Sequence, residues 1–283
     1  MATVTVDGIE THYEVRGTGP ALLMYAPGGF DAQICKWSEL GVYKRIRLLN
    51  HLPKHYTCIL FDRRENGLSG GRVERITWDN YVQQGLCLLD HLNIEKAHLM
   101  GGCMGCAPVA AFGARHPHRV LSMIHYWPVG GAGYRIGSHQ RFARHLSFVE
   151  ENGLQVVVDL VLSHDKNFSA DPRGGPWGQP IRNSSDFAQT YAALDVPNYL
   201  LTARGMMSSL FDRDTAPGAE PEDLMRLDIP TLIVPGADGF HATSAARYLQ
   251  ECLKGSEYWD VAPEAQTEAT APARVLEFLD RVT

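Results

Sequence analysis

A chain of 283 residues with 45% apolar side chains is long enough to bury a large core, as one big domain or as one domain carrying an insertion. Its formal net charge of -6 is spread without a basic stripe or a polybasic run, which excludes nucleic acid and anionic lipid surfaces as partners. Met1-Ala2-Thr3-Val4-Thr5-Val6-Asp7 offers neither a charged nor an apolar leader, and no apolar stretch reaches membrane-spanning length, so a cytoplasmic protein without membrane contact is expected. The six cysteines (35, 58, 87, 103, 106 and 252) lack disulfide-framework spacing, and no Cys/His cluster has zinc spacing. Reduced thiols and no metal or other cofactor are expected.

In chain order, Ala2 to Val6 and Glu10 to Val15 alternate as strands around Asp7-Gly8, a hairpin turn signal. Pro20 to Ala26 is a continuous apolar run of the kind buried on both faces, and it ends in Pro27-Gly28-Gly29-Phe30, whose glycines let backbone amides face a ligand. Trp37 to Leu49 reads as a helix and Thr57 to Phe61 as the next buried strand, closed by the loop from Asp62 to Ser69. Asp62 and Arg64 are expected to form a structural pair in that loop. Trp78, Val82, Leu86 and Leu89 recur at steps of four and three, one apolar helix face. A strand up to Gly102, a helix from Met104 to about Arg115 and a strand from Val120 to Trp127 follow. Strands alternating with helices mean βαβ units and a mostly parallel sheet, with the site at the strands' C-terminal ends.

After Pro128 the pattern changes. Helix-like pieces (His139 to Glu150, Leu154 to Ser163, Ser185 to Leu194) are separated by the Gly/Pro-rich run from Asp171 to Gly178, without a core strand. This predicts a helical lid over 130–227 inserted into a core of 1–129 and 228–283. The run from Asp171 to Gly178 is expected to be the lid's least protected segment, and Phe168, Trp177, Met206, Met207 and Phe211 to line an apolar pocket or else to pack on the sheet. The alternation resumes with a strand at Pro230 to Pro235, a helix at Ser244 to Leu253, a strand at Glu257 to Val261 and a helix from about Pro272, a proline suited to a first turn.

The chemistry concentrates in Lys96 to Cys106, which reads as strand, tight turn and helix with a thiol at the apex. Gly101 and Gly105 flank Cys103 in a Gly-x-nucleophile-x-Gly elbow, whose strained backbone only glycine neighbours can approach. At a helix N-terminus the amide dipoles favour thiolate over thiol.

These landmarks resemble the α/β-hydrolase fold superfamily along nearly the whole chain. Pro27-Gly28-Gly29-Phe30 stands where that family has its His-Gly-x-x oxyanion loop, and Asp62-x-Arg64-x-x-Gly67-x-Ser69 matches its Asp-x-Arg-x-x-Gly-x-Ser loop. The elbow, the lid and Gly236-Ala237-Asp238 in the acid loop follow in the same order. Within the superfamily the chain is similar to cysteine-elbow members with a Gly-x-Asp-x-x-His segment, here Gly236-Ala237-Asp238-Gly239-Phe240-His241. The resemblance implies an α/β fold, a mostly parallel sheet flanked by helices, with Cys103 as nucleophile and the amides of Met104 and Gly29 as oxyanion hole.

Two departures shape the mechanism. The family's triad histidine follows the last strand, where this chain runs from Val261 to Glu268, and no histidine follows His241. The usual acid position is occupied by Gly239, one residue beyond Asp238. A cysteine needs its base less than a serine does, because part of a free thiol is already ionised near neutrality. His241 is therefore the expected partner of Cys103, with Asp238 or Glu65 orienting or charging the site and His125 as the rival base. His98 reads as a core residue, and the histidines at 116, 118, 139, 145 and 164 as surface or lid residues.

The expected activity is hydrolysis of a small, partly apolar carbonyl compound (ester, lactone, thioester or β-dicarbonyl) through an acyl-cysteine intermediate on Cys103. Three alternatives stay open. Gly101-Gly102-Cys103-Met104-Gly105 is similar to the elbow of homoserine acetyltransferases and points to acyl transfer; the absent late histidine points to an inactive binding or scaffold member; Cys103-Met104-Gly105-Cys106 has the spacing of a dithiol redox protein. The expected partner is a small-molecule substrate, and a homodimer stays open.

Overall fold

The computed structural model describes residues 2–283. Its strands are β1 (Ala2–Val6), β2 (Ile9–Arg16), β3 (Ala21–Tyr25), β4 (Thr57–Phe61), β5 (Ala97–Gly102), β6 (Val120–Tyr126), β7 (Thr231–Val234) and β8 (Glu257–Tyr258). Asp7 and Gly8 both take positive φ (51° and 70°), the conformation a tight hairpin turn requires. One sheet joins all eight strands in the order β1-β2-β4-β3-β5-β6-β7-β8. β1 and β4 pair antiparallel with β2, and every other pairing is parallel. β3 lies between β4 and β5, so the chain leaves it to one side and returns on the other. Loops diverge at such a reversal and open a crevice at the strands' C-terminal ends. Here the diverging loops are Pro27–Phe30 and the turn at Cys103.

Continuous apolar runs in β3, β4, β5 and β6 bury both faces of the sheet. Leu23, Ile59, Leu99 and Met123 face one helical layer, and Leu22, Leu60, Met100 and Ile124 face the other. The first layer contains α3 (Trp78–His91) and α4 (Cys106–Arg115), and the second contains α1 (Lys36–Glu39), α2 (Gly41–Ile46) and α11 (Ala271–Val282). α3 starts on a capping box in which Asn80 Oδ1 accepts from the Thr77 amide at 2.7 Å, and its face of Trp78, Val82 and Leu89 is buried.

The single helix expected over Trp37 to Leu49 is instead two helices and a 3-10 turn (Leu48–Asn50). Leu40 is extended (φ -91°, ψ 121°), Gly41 has φ 44° and Arg47 is left-handed (φ 47°, ψ 46°), so the chain breaks twice, first at Leu40 and Gly41, which line the central cavity, and again at Arg47. Asp62 and Arg64 are not a pair. Asp62 takes His12 Nδ1 (2.9 Å) and the amides of Ile34 (2.7 Å) and Leu68 (2.8 Å), whereas Arg64 turns to Glu65 (3.0 Å) and Glu74.

Between β6 and β7 lie α5 (Ala132–Ser163), α6 (Gly178–Asn183), α7 (Ser185–Ala192), α8 (Val196–Leu210) and α9 (Pro221–Met225), with no strand among the described residues. Gly153 (φ 78°, ψ 171°) breaks α5 between the two pieces read from the sequence. α6 and α8 add to those pieces; α8 carries a start signal of its own, with Asp195 accepting from the Asn198 amide at 3.0 Å and a proline in the first turn. The run from Asp171 to Gly178 is packed rather than open. Trp177 is fully buried and its indole donates to Arg72 O at 2.9 Å, while Gly175 lies so close to the His145 ring that a Cβ would sit 2.4 Å from it. After β7 comes α10 (Thr243–Cys252). Among the described residues, no helix is long and apolar enough to cross a membrane.

Candidate active site

Cys103 sits at the C-terminal end of β5 with φ 54°, a left-handed conformation that is costly for a side chain with a Cβ, and is followed by a 3-10 turn that leads into α4. The neighbouring glycines follow from backbone contact. A Cβ on Gly101 would lie 2.3 Å from Gly105 O, and a Cβ on Gly105 would lie 2.4 Å from Tyr25 O. β3, β5 and the start of α4 meet too closely here for any other residue.

His241 reaches the sulphur from the loop after β7, although β6 separates β7 from β5 in the sheet. The loop is tied across β6 through Gly130, whose amide donates to Phe240 O (3.1 Å) and whose carbonyl accepts from Ala242 N (3.4 Å). Asp238 accepts from His241 Nδ1 with both carboxylate oxygens at 2.9 Å and also takes the amides of Phe240 (2.8 Å) and His241 (2.9 Å). The Nε2 of His241 is buried without a hydrogen-bond partner and belongs to the same cavity lining as Cys103.

The electrostatics favour an ion pair. Burial pushes the Cys103 thiol up, but the nearby His241 charge, with the amides of Gly28 and Met104, outweighs it and leaves the thiol below its ordinary value. Burial likewise pulls His241 down, yet the Cys103 thiolate and Asp238 lift it to about 9. The two shifts run in opposite directions, thiol down and imidazole up, the sense that favours a thiolate–imidazolium pair.

The Pro27–Phe30 loop is anchored from behind by Arg63, a fully buried residue that the sequence reading passed over. Its Nη2 donates to Gly28 O (2.8 Å) and to Gly29 O. Carbonyl and N–H point opposite ways in a trans peptide, so holding Gly28 O turns the Gly29 amide away from Arg63, toward the cavity that Gly29 lines. Nothing in the motif marks Arg63, which fills a variable position of the loop.

A second residue invisible to motif reading is Gln266, in the segment where a late histidine would be sought. It is fully buried; its Nε2 donates to Pro235 O (3.0 Å) and Val261 O (3.1 Å), and its Oε1 accepts from Trp127 Nε1 (2.7 Å) and Tyr126 OH (3.1 Å). Trp127, held at φ 55°, packs its ring 5.4 Å from that of His241. An uncharged amide therefore locks the wall behind the imidazole.

Above Cys103 lies a cavity of about 690 Å³, lined by Cys103, Met104, Asp238 and His241 and walled by Phe30, Phe142, Phe168 and Phe211. Of the residues expected to form an apolar pocket, Phe168 and Phe211 do so, whereas Trp177 and Met206 are buried inside the helical layer and Met207 packs against it.

The remaining candidates lie elsewhere. His125 is in β6, paired in register with Gly101, and is fully buried; burial drops it to about 4, and it does not reach the cavity. Glu65 is buried against Arg64 at 3.0 Å, pushed up to about 7 by that burial, and also lies off the cavity, so it neither orients nor charges the site. Cys106 is a free, buried thiol that donates to Gly101 O (3.1 Å), and burial pushes it well up. His98 is held in the core by Ser122 (2.8 Å) and Thr283 (3.2 Å). His145, on α5 within the segment read as a lid, is buried between Arg173 O (2.9 Å) and Tyr199 OH. Among the described residues, no three His, Cys, Asp or Glu side chains gather as a metal site.

The eight-stranded, mostly parallel sheet with helices on both faces is the α/β-hydrolase fold. Residues 22–128, from β3 to just past β6, match the family described as alpha/beta hydrolase fold. The chain is 30% identical over 129 residues to the uncharacterized hydrolase YraK of Bacillus subtilis, a match spanning 45% of this chain and 44% of that protein, less than half of either. It is 27% identical over 209 residues to 3-oxoadipate enol-lactonase 1 of Acinetobacter baylyi, covering 73% of this chain and 71% of that one. The crystal structure of a hydrolase from Pseudomonas aeruginosa superposes with a TM-score of 0.65 at 18% identity, over 98% of this chain and 97% of that one, a likeness of fold.

Proposed function

We propose that the chain hydrolyses a small, partly apolar carbonyl compound (an ester, lactone, thioester or β-dicarbonyl) through an acyl-cysteine on Cys103. The observation that carries this reading is the convergence of Cys103, His241 and Asp238 on one largely apolar cavity. The enol-lactone in the name of the Acinetobacter baylyi relative is one member of that substrate class.

In this mechanism the Cys103 thiolate attacks the carbonyl carbon, forming the C–S bond as the carbonyl electrons move to oxygen. The amides of Met104 and of the Gly28-Gly29 loop stabilise that oxyanion. Its collapse breaks the bond to the leaving group, which takes the Nε2 proton of His241. Neutral His241 then accepts a proton from water as its oxygen attacks the thioester, and the thiolate departs with the imidazolium restored. Asp238 holds Nδ1–H throughout, which fixes the tautomer and stabilises the cation.

Intact-mass spectrometry after brief exposure to a panel of acyl esters tests the reading. The expected result is one acyl adduct, on Cys103, that decays in water, is absent in Cys103→Ala and persists in Cys106→Ala. An adduct that decays only when an alcohol is added would reassign the protein to acyl transfer, and no adduct with any ester would leave a binding role. His241→Ala should lower turnover by about 10²–10⁴, and Asp238→Asn by less. The dithiol reading has little support, since Cys106 is buried and engaged with Gly101 O.

A further inference from the structure

Arg141, on α5, lines the cavity without a charged partner. Its Nη1 donates to Ser169 Oγ (2.8 Å), its Nη2 to Ser138 Oγ (3.2 Å) and its Nε to Gly137 O (3.3 Å), and its guanidinium lies 5.7 Å from the centre of the Phe240 ring. None of these groups is anionic, and no ion pair among the described residues includes Arg141. The carboxylates that reach the cavity are already engaged. Asp31 is held by Lys36 (3.3 Å) and Asn167 (2.8 Å), and Asp238 by His241 (2.9 Å). A guanidinium stays protonated at any working pH, so this cation faces the cavity without an ion-pair partner.

Seven residues earlier, two turns back on the same face of α5, Tyr134 points into the same cavity. It is 5% exposed, and its hydroxyl has no hydrogen-bond partner. A buried donor left without an acceptor costs free energy, as does a desolvated charge, and both costs vanish when one anionic ligand supplies the acceptor. The catalytic groups do not need Arg141, because Asp238 and the loop amides already serve His241 and the sulphur.

We propose that Arg141 and Tyr134 form a subsite for a carboxylate carried by the substrate, so that the acyl compound is an anionic one such as the half-ester of a dicarboxylic acid or a lactone bearing a free acid. The aromatic walls then hold the chain between carboxylate and scissile carbonyl. This rests on the acyl-cysteine reading for the reaction, but not for the binding.

The test compares p-nitrophenyl hydrogen glutarate with p-nitrophenyl butyrate on the wild type, Arg141→Gln, Arg141→Lys and Tyr134→Phe. A charge-assisted contact predicts a kcat/KM about 10- to 100-fold higher for the anionic ester. Arg141→Gln should bring that ratio near one through the KM of the anionic ester, Arg141→Lys should keep part of it, and Tyr134→Phe should reduce it less than Arg141→Gln. A ratio that Arg141→Gln leaves unchanged, or an equal loss on both esters, overturns the subsite. If neither ester is turned over, the acyl-cysteine reading fails while the subsite is still read by binding: glutarate should raise the Tm of the wild type and not of Arg141→Gln, and butyrate should raise it less. No shift with glutarate also overturns the proposal.

Discussion

Gln266→Leu isolates a residue whose whole contribution lies in the tertiary structure. The substitution keeps most of the volume but removes both amide donors and the shared acceptor, leaving Tyr126 OH, Trp127 Nε1, Pro235 O and Val261 O without their partner. The partners at Tyr126 and Pro235 are fully buried, so each costs about 1–3 kcal/mol when orphaned, while the part-buried partners at Trp127 and Val261 recover some of theirs from water. The expected total is about 4 kcal/mol, which for a chain of this size lowers Tm by about 8–15 °C. The same loss frees the Trp127 ring that packs against His241, so alkylation of Cys103 should slow as well. Urea denaturation of the wild type, Gln266→Leu and the closer isostere Gln266→Met, with alkylation rates on the folded proteins, measures both effects. Stability within about 1 kcal/mol of the wild type in both variants would refute the reasoning, since an ordinary surface change does no more than that.

Iodoacetamide should modify Cys103 faster than the other five cysteines, with a rate midpoint below the roughly 8.5 of a free thiol. His241→Ala removes the cation that favours thiolate, so that midpoint should move up; an unchanged midpoint would separate the histidine from the thiol. Gly101→Ala would put a Cβ 2.3 Å from Gly105 O, a clash between backbones that should cost at least about 1–3 kcal/mol in urea denaturation. Asp171 is held down to about 2, chiefly by its bond to Arg173. A lowered carboxyl stabilises the fold above its unfolded pKa of roughly 3.9 and loses that contribution as pH falls toward 2. Asp171→Asn should therefore lower Tm at pH 7, by an amount that shrinks from about pH 4 downward, and a pH-independent difference would contradict the pairing.

What the sequence determined by itself was local. Alternation and apolar runs placed all eight strands, because strand burial is written in neighbouring residues, and Gly101 marked the turn at Cys103, because the clash it avoids, with Gly105 O, lies within that turn; the clash that Gly105 avoids is with Tyr25 O of β3 and belongs to the tertiary structure. Asp238 and His241 were legible for the same reason, as groups three residues apart that can bond each other directly. The approach of His241 to Cys103 was decided by the sheet order and by the tie through Gly130, which carries one loop across an intervening strand. Tertiary packing also turned Asp171 to Gly178 from an open run into a buried one around Trp177, and broke the helix expected over Trp37 to Leu49 where Leu40 and Gly41 meet the cavity. Arg63, Gln266 and Arg141 stood in no motif. A buried guanidinium or amide is defined by the partners it meets across the fold, and those partners come from distant segments whose meeting no local pattern records.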